Sequence, residues 1–280
     1  MLPAMRILVT GSTGLVGQAL LAQLAGHEVV RYQRAAPPAL DGFDAVIHLA
    51  GEPIAGRWTA AKKERIRASR RDGTRSLCEQ LARCSAKPRV LLSASAIGIY
   101  GDRGDEILTE DSPPGNGFLA DVARDWETAT LPATTAGIRV VNLRLGIVLS
   151  GHGGALKQML PVFRLGAGGV LGSGRQFWSW IALADVVAAI RHALTTESLR
   201  GPVNGVAPFP VMNRAFTRTL GRVLHRPTIL PVPAWAVRLA LGEMGPALLL
   251  ASTRVEPRRL LASGFKFQLP ELEEALQRLA

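Results

Sequence analysis

The chain has 280 residues, 48% of them hydrophobic and 20% charged, which is enough apolar content to bury a sizeable core and excludes global disorder. Lysine and arginine (33) outnumber aspartate and glutamate (22), for a formal net charge of +11. Only Lys62, Lys63, Lys87, Lys157 and Lys266 are lysines, so the excess is arginine, which suits an anionic partner such as a phosphorylated cofactor or an acidic metabolite.

The first strand is expected at residues 6–10, followed by a helix at 14–24 with Leu15, Val16, Ala19, Leu20 and Leu24 on one face and Gly26 closing it. Residues 28–33 read as a second strand. Two more, 44–50 and 89–95, flank a long, very basic helix at about 59–82. The two cysteines, Cys78 and Cys84, lie six apart on that helix and are expected to face different sides. Their spacing gives neither a disulfide framework nor a zinc pattern, which fits a reducing cytoplasm. A helix at about 118–131 and a strand at 138–144 complete an alternation that predicts an α/β fold with a doubly wound, mostly parallel sheet.

After Leu149 the pattern changes. Glycine runs at 151–154 and 166–169 punctuate a helix at about 155–165, residues 182–195 form a helix returning to the first lobe, and Pro-rich joints follow Pro208. We therefore expect a nucleotide-binding domain over residues 1–150, which also receives the 182–195 helix, and a smaller C-terminal substrate lobe over most of 151–280. Residues 1–6 lack the pattern of a signal peptide, and the greasy stretch 232–251 is interrupted by Arg238, Glu243 and Pro246, so no membrane span is expected. Nothing in the chain resembles an RNA- or DNA-binding motif, so no specific nucleic-acid partner is expected. A small-molecule substrate and a monomer or homodimer are.

The sharpest local feature is Gly11-Ser12-Thr13-Gly14-Leu15-Val16-Gly17, between the first strand and the first helix. In a Rossmann-type turn Gly11 permits the bend, Gly14 lets the backbone approach a pyrophosphate, and Gly17 packs helix on strand. A carboxylate ending the second strand would select the ribose 2′-hydroxyl of NAD. This chain has Arg31, Tyr32, Gln33 and Arg34 there instead, and arginine suits the 2′-phosphate of NADP.

Together with His48-Leu49-Ala50-Gly51-Glu52-Pro53, Arg57-Trp58-Thr59, Ser69-Arg70, Gly172-Ser173-Gly174-Arg175-Gln176 and Gly264-Phe265-Lys266-Phe267, this turn resembles the atypical branch of extended short-chain dehydrogenases/reductases: "epimerase-family" proteins, NAD(P)-dependent epimerase/dehydratase-like, with a distinct C-terminal domain. The resemblance implies a Rossmann-type lobe and bound NADP. It places Gly11, Thr13, Gly14 and Gly17 at the pyrophosphate, Arg34 at the 2′-phosphate, and Leu49 and Ala50 beside the adenosine half; Leu15, Arg31 and Gly51 are candidate cofactor contacts next to them. Arg65, Arg70 and Trp126 are further candidate cofactor contacts, and Arg175, Trp178 and Trp180 candidate substrate contacts.

The superfamily's Tyr-x-x-x-Lys pair is missing. Four residues after Tyr32 and Tyr100 stand Ala36 and Gly104, and on the helix before Glu127 the two positions are Leu119 and Ala123. Without the lysine cation no tyrosine is activated as a base. Ser95 and Tyr100 remain as candidate catalytic groups, Ser95 to orient a substrate oxygen and Tyr100 as a displaced acid. Residues 35–43 are too short to hold a further helix and strand, so the sheet is expected to be one strand narrower. The expected function is an NADP-dependent oxidoreductase acting on a small polar, sugar-like or carbonyl substrate; the alternative is a non-catalytic NADP(H)-binding sensor or scaffold.

Overall fold

The computed structural model describes residues 4–33 and 35–280. The first lobe runs β1 (Arg6–Thr10), α1 (Leu15–Leu21), β2 (Glu28–Arg31), β3 (Ala45–His48), α2 (Ala60–Arg83), β4 (Val90–Ala96), a 3-10 turn (Ile97–Tyr100), β5 (Ile107–Leu108), α3 (Phe118–Thr128), α4 (Leu131–Thr135) and β6 (Arg139–Leu145). There follow β7 (Ile147–Leu149), α5 (Gly154–Arg164), β8 (Phe177–Trp178), β9 (Trp180–Ala182), α6 (Leu183–Thr195), β10 (Gly201–Gly205), β11 (Val211–Met212), α7 (Asn213–Val223) and α8 (Ala234–Leu241). A π-helical turn (Pro246–Leu250), β12 (Arg254–Val255), α9 (Arg258–Ala262) and α10 (Leu272–Leu279) end the chain.

Six strands form one parallel sheet in the order β10-β6-β4-β3-β1-β2. Its strands are apolar on both faces, and alternate residues feed separate cores. Ile7, Val9, Ala45, Ile47, Val90, Leu92, Val141 and Leu143 pack with Leu20 of α1 and with Val186, Ile190 and Leu194 of α6. Leu8, Val46, Leu91 and Val140 face the other way, against Leu77 and Leu81 of α2 and Ala133 of α4. The sheet is thus doubly wound. Cys78 and Cys84 are both buried in this second core, because Cys84 lies just past the end of α2, and burial pushes the Cys78 thiol up to about 12.

No described strand lies beyond β2, and β3 pairs on the opposite side of β1, so the short 35–43 link leaves the sheet narrower, as expected. β10 was not anticipated. Its sequence, Gly-Pro-Val-Asn-Gly, carries no strand pattern, and Pro202 is tolerated because β10 is an edge strand. Outside the sheet, Leu156, Leu160 and Phe163 of α5, Trp178, Trp180, Phe216 and Leu276 form a separate core. Buried Asp185 ties α6 to the C-terminal tail by accepting the backbone N–H groups of Gln268 (2.6 Å) and Leu269 (3.0 Å), while burial holds its carboxyl above the usual range. Among the described residues no helix is long and apolar enough to cross a membrane.

Candidate functional site

The direction of the chain's crossovers reverses between β1 and β3, and in such sheets ligands bind beyond the strands' carboxyl ends at that point. There the three turn glycines face three different demands. A Cβ on Gly11, whose φ is +68°, would stand 2.6 Å from the Leu49 carbonyl carbon and 2.7 Å from the Ala50 nitrogen. A Cβ on Gly17 would overlap the Gly11 carbonyl oxygen and stand 2.8 Å from Ser12 Cα. Gly14 meets only the Gly11 carbonyl oxygen, at 3.4 Å, so its outer side is open. Gly11 and Gly17 are therefore required by packing, whereas Gly14 holds space that a diphosphate fits. Gly14 is also the N-cap of α1 and makes no side-chain cap hydrogen bond, which leaves the first-turn N–H groups free for an anion. Leu15 contributes only backbone there; a Cβ added to Gly153 would come within 2.9 Å of its side chain, so the side chain packs on the 151–154 loop.

The contact between the ends of β1 and β3 is braced from beneath. Buried His48 lies between Thr10 Oγ1 (Nδ1, 2.7 Å) and Thr74 Oγ1 (Nε2, 2.9 Å), and Thr10 Oγ1 accepts the Ala50 N–H at 3.3 Å. Burial pulls the His48 pKa down to about 4, so the ring is neutral and can accept at one nitrogen while donating at the other.

Beyond the glycine turn, toward the sheet edge, an open cavity of about 420 Å³ is lined by Ser12, Thr13, Gln18, Leu21, Ala22 and Arg31. Arg31 is exposed, and no described residue pairs with its guanidinium. Arg34 lies outside the described residues. On the other side of the turn, Gly51 faces Arg70; a Cβ on Gly51 would stand 3.3 Å from the guanidinium carbon. Arg70 Nη1 donates to the Glu52 and Ile66 carbonyls (3.0 and 3.2 Å), and its guanidinium stacks on the Trp126 ring at 4.9 Å. Trp126 is buried under Arg70, so it can support a ligand only through that arginine. Arg65 is 60% exposed and faces Glu52, in the loop after β3, at 3.7 Å, in company with Lys62 at 2.7 Å, so its charge is engaged by that carboxylate.

The two candidate catalytic hydroxyls have been drawn into a buried network. Ser95 Oγ donates to Glu127 Oε1 at 2.7 Å. Glu127 is gripped by Arg144 in a two-pronged ion pair, Nε to Oε1 at 2.7 Å and Nη2 to Oε2 at 2.8 Å. Arg144 Nη1 also donates to Tyr100 Oη at 2.8 Å, and Tyr100 donates to Asn204 Oδ1 at 2.7 Å. Burial opposes the charge on Arg144, but the hydrogen bonds and attraction of Glu127 hold its pKa above the ordinary arginine value. Tyr100 is fully buried, and burial pushes its phenol upward. The expected acid role does not fit this placement: a sealed phenol with donor and acceptor both engaged reaches no substrate. Ser95 is only 3% exposed and its proton is committed to Glu127.

This network escaped the sequence because its members come from β4, the turn after it, α3, β6 and β10. One signal was available: Arg144 stands between Leu143 and Leu145 near the end of an expected buried strand, and a buried arginine demands a carboxylate. The substrate candidates also separate. Trp178 and Trp180 are core residues of the second lobe, 3% and 0% exposed, and Arg175 is exposed in the loop before them. Among the described residues no group of His, Cys, Asp and Glu is gathered to hold a metal ion.

Comparison with known proteins places this geometry. The model of the NAD dependent epimerase/dehydratase family matches residues 7–204, and a domain of unknown function, DUF1731, matches residues 232–279. An epimerase family protein of Mycobacterium tuberculosis is 43% identical over 96% of this chain and 96% of its own length. The chloroplastic SDR39U1 homolog of Arabidopsis thaliana is 38% identical over 98% of this chain and 86% of its own. The crystal structure of human epimerase family protein SDR39U1, determined with NADPH, superposes with a TM-score of 0.92 at 34% identity, covering 99% of both chains.

Proposed function

The chain belongs to the NAD dependent epimerase/dehydratase family, and from that premise we propose that it binds NADP(H) along the carboxyl ends of β2, β1, β3 and β4 and reduces a small carbonyl compound. The observation that carries the binding half is the contrast among the three glycines: two are forced by backbone contact, and the third, at the N-cap of α1, is open on its outer side, where a diphosphate fits. Arg31, unpaired beside the open cavity, suits the 2′-phosphate, and the NADPH in the human relative's structure supports the same choice. Arg70 and Gly51 would border the cofactor's middle.

When bound, the nicotinamide supplies the hydride, so the protein's task is to orient the two reactants and exclude competing reactions. The carbonyl oxygen needs a proton as the carbon is reduced. Leu119 and Ala123 hold none, and the hydroxyls of Ser95 and Tyr100 are engaged, so solvent provides it. Proton delivery from water forgoes the hundredfold or greater gain that a positioned acid gives, which predicts slow turnover.

That same absence supports a second role, a non-catalytic NADP(H)-binding sensor or scaffold. Calorimetric titration with NADPH tests the shared premise, and the loss of NADPH absorbance over a panel of aldehydes and ketones separates the two. Binding with turnover supports the reductase; binding with no turnover across the panel supports the sensor. The cytoplasmic placement and the monomeric or dimeric state remain part of this proposal; the first rests on two buried cysteines with no disulfide between them.

A further inference from the structure

The position where the superfamily carries its catalytic tyrosine, Leu119, is not simply vacated but built into an apolar wall. Its Cβ lies 3.3 Å from where a side chain on Gly98 would begin, and Gly98 stands two residues past the carboxyl end of β4. On the cofactor placement proposed above, the adenosine half would lie toward β2 and Arg31 and the reacting end toward β4, beside Leu119. Around it, partly buried Ile54, Phe118, Met244 and Leu248 pack with Leu119 on buried Trp58, Ile66 and Val122. Trp58 and Phe118 meet edge to face, with centroids 5.1 Å apart.

Part of this wall comes from far along the chain. Residues 243–250 cross from the second lobe as a strap fastened at both ends. Glu243 pairs with Lys63 of α2 at 2.6 Å, and Lys63 also lies over the Phe118 ring at 5.0 Å. At the other end the Leu249 carbonyl accepts from Gln176 Nε2 (3.1 Å) and Trp178 Nε1 (3.3 Å). The π-helical turn within the strap directs Ala247 and Leu248 onto the wall. Trp178 therefore anchors the strap rather than contacting substrate.

We propose that the wall formed by Leu119, Phe118, Ile54 and the 243–250 strap is the substrate pocket, and that the carbonyl substrate carries an apolar chain or ring rather than a sugar. A sugar's hydroxyls need hydrogen-bonding partners when buried, whereas Leu119, Phe118, Ile54, Met244, Ala247 and Leu248 carry apolar side chains and the strap's one carboxylate, Glu243, is paired with Lys63. An aliphatic or aromatic ketone loses nothing there and gains by leaving water. The proposal rests on the cofactor site argued above for its orientation.

The test is the binding of straight-chain 2-alkanones, from 2-butanone to 2-nonanone, against UDP-glucose, measured by saturation-transfer NMR and calorimetry on the NADPH-loaded protein. Affinity is expected to rise by up to about fourfold per added methylene, the fold-change that ~0.8 kcal/mol per buried CH₂ gives. Leu248→Asp should weaken 2-nonanone at least about tenfold while leaving NADPH affinity within about twofold, and Leu248→Met should restore it. If Leu248→Asp does not fold, Leu119→Thr probes the same wall from α3. A flat chain-length series, or UDP-glucose binding more tightly than 2-nonanone, overturns the proposal. Failure of NADPH to bind the wild type would instead remove the cofactor site, and the alkanone series on the cofactor-free protein would still decide whether the wall is a pocket.

Discussion

At the carboxyl end of β1 the molecule keeps space that glycines hold open, whereas at the carboxyl end of β4 it holds a buried ion pair and presents leucine in place of a proton donor. The first end recognises with backbone: Gly11 lets the end of β1 approach the backbone after β3, Gly17 seats α1, and Gly14 stays open on its outer side. The second has exchanged chemistry for architecture. Hydroxyls at Ser95 and Tyr100 survive there, but they satisfy Glu127, Arg144 and Asn204. Cofactor binding and proton transfer are thus separable in this fold: the β1 end keeps its glycine turn, while the hydroxyls at the β4 end are engaged by their neighbours.

The largest effect that would break this contrast concerns the ion pair. If the β4 end is architectural, Arg144→Met should destabilise by about 3–5 kcal/mol in urea unfolding, because it strands the Glu127 carboxylate. Replacing both partners, Arg144→Met with Glu127→Leu, should recover most of that loss. A single variant that unfolds like the wild type would show that the pair is not holding β6 to α3.

Next in size is a pH effect from the phosphate end. His48 titrates at about 4 in the folded chain against an ordinary 6.5. Between those values the unfolded chain takes up a proton that the folded one refuses, so stability falls as pH drops from 6.5 toward 4, by about 3 kcal/mol in all. The slope of stability against pH in that window should be smaller in His48→Gln than in the wild type. Identical slopes would mean that the Thr10–His48–Thr74 brace is not buried in solution.

These two networks also show where the sequence was readable. The glycine turn, the strand–helix alternation and the narrow sheet depend on neighbours in the chain: turn spacing, short apolar runs between helical patterns, and the nine residues from 35 to 43. The six-strand sheet was visible for that reason, apart from β10, whose Gly-Pro-Val-Asn-Gly run takes its strand conformation from pairing with β6. The candidate site divides along the same line. Gly11, Gly14 and Gly17 were identifiable from spacing. The burial of Trp178 and Trp180 and the capture of Tyr100 by Asn204 were not, since those partners lie far apart in sequence.

A sharper test of the glycine division is a pair of alanine variants. Gly14→Ala should fold with a cost under about 1 kcal/mol, since its φ of −75° suits alanine, yet lose about tenfold in NADPH affinity by crowding the diphosphate. Gly11→Ala should lose stability as well, because its φ is +68° and the new Cβ meets the Leu49–Ala50 backbone. Equal behaviour of the two variants in unfolding and binding would erase the distinction between packing and ligand glycines.

The smallest expected effect is on coenzyme choice, and it follows from exposure. A guanidinium–phosphate contact is charge-assisted, but Arg31 stands at the sheet edge in water, where ion pairs are worth about 1 kcal/mol or less. Arg31→Glu should therefore weaken NADPH by about fivefold and NADH by less than about twofold, since only the former carries the 2′-phosphate. Reversing the charge adds repulsion to the lost attraction, and both are screened by salt, so the preference should shrink between 0.05 and 0.5 M ionic strength. Fluorescence titrations of both coenzymes at the two salt levels measure this directly. A loss of equal size for NADH would place Arg31 at a part of the dinucleotide common to both and leave the 2′-phosphate to another group.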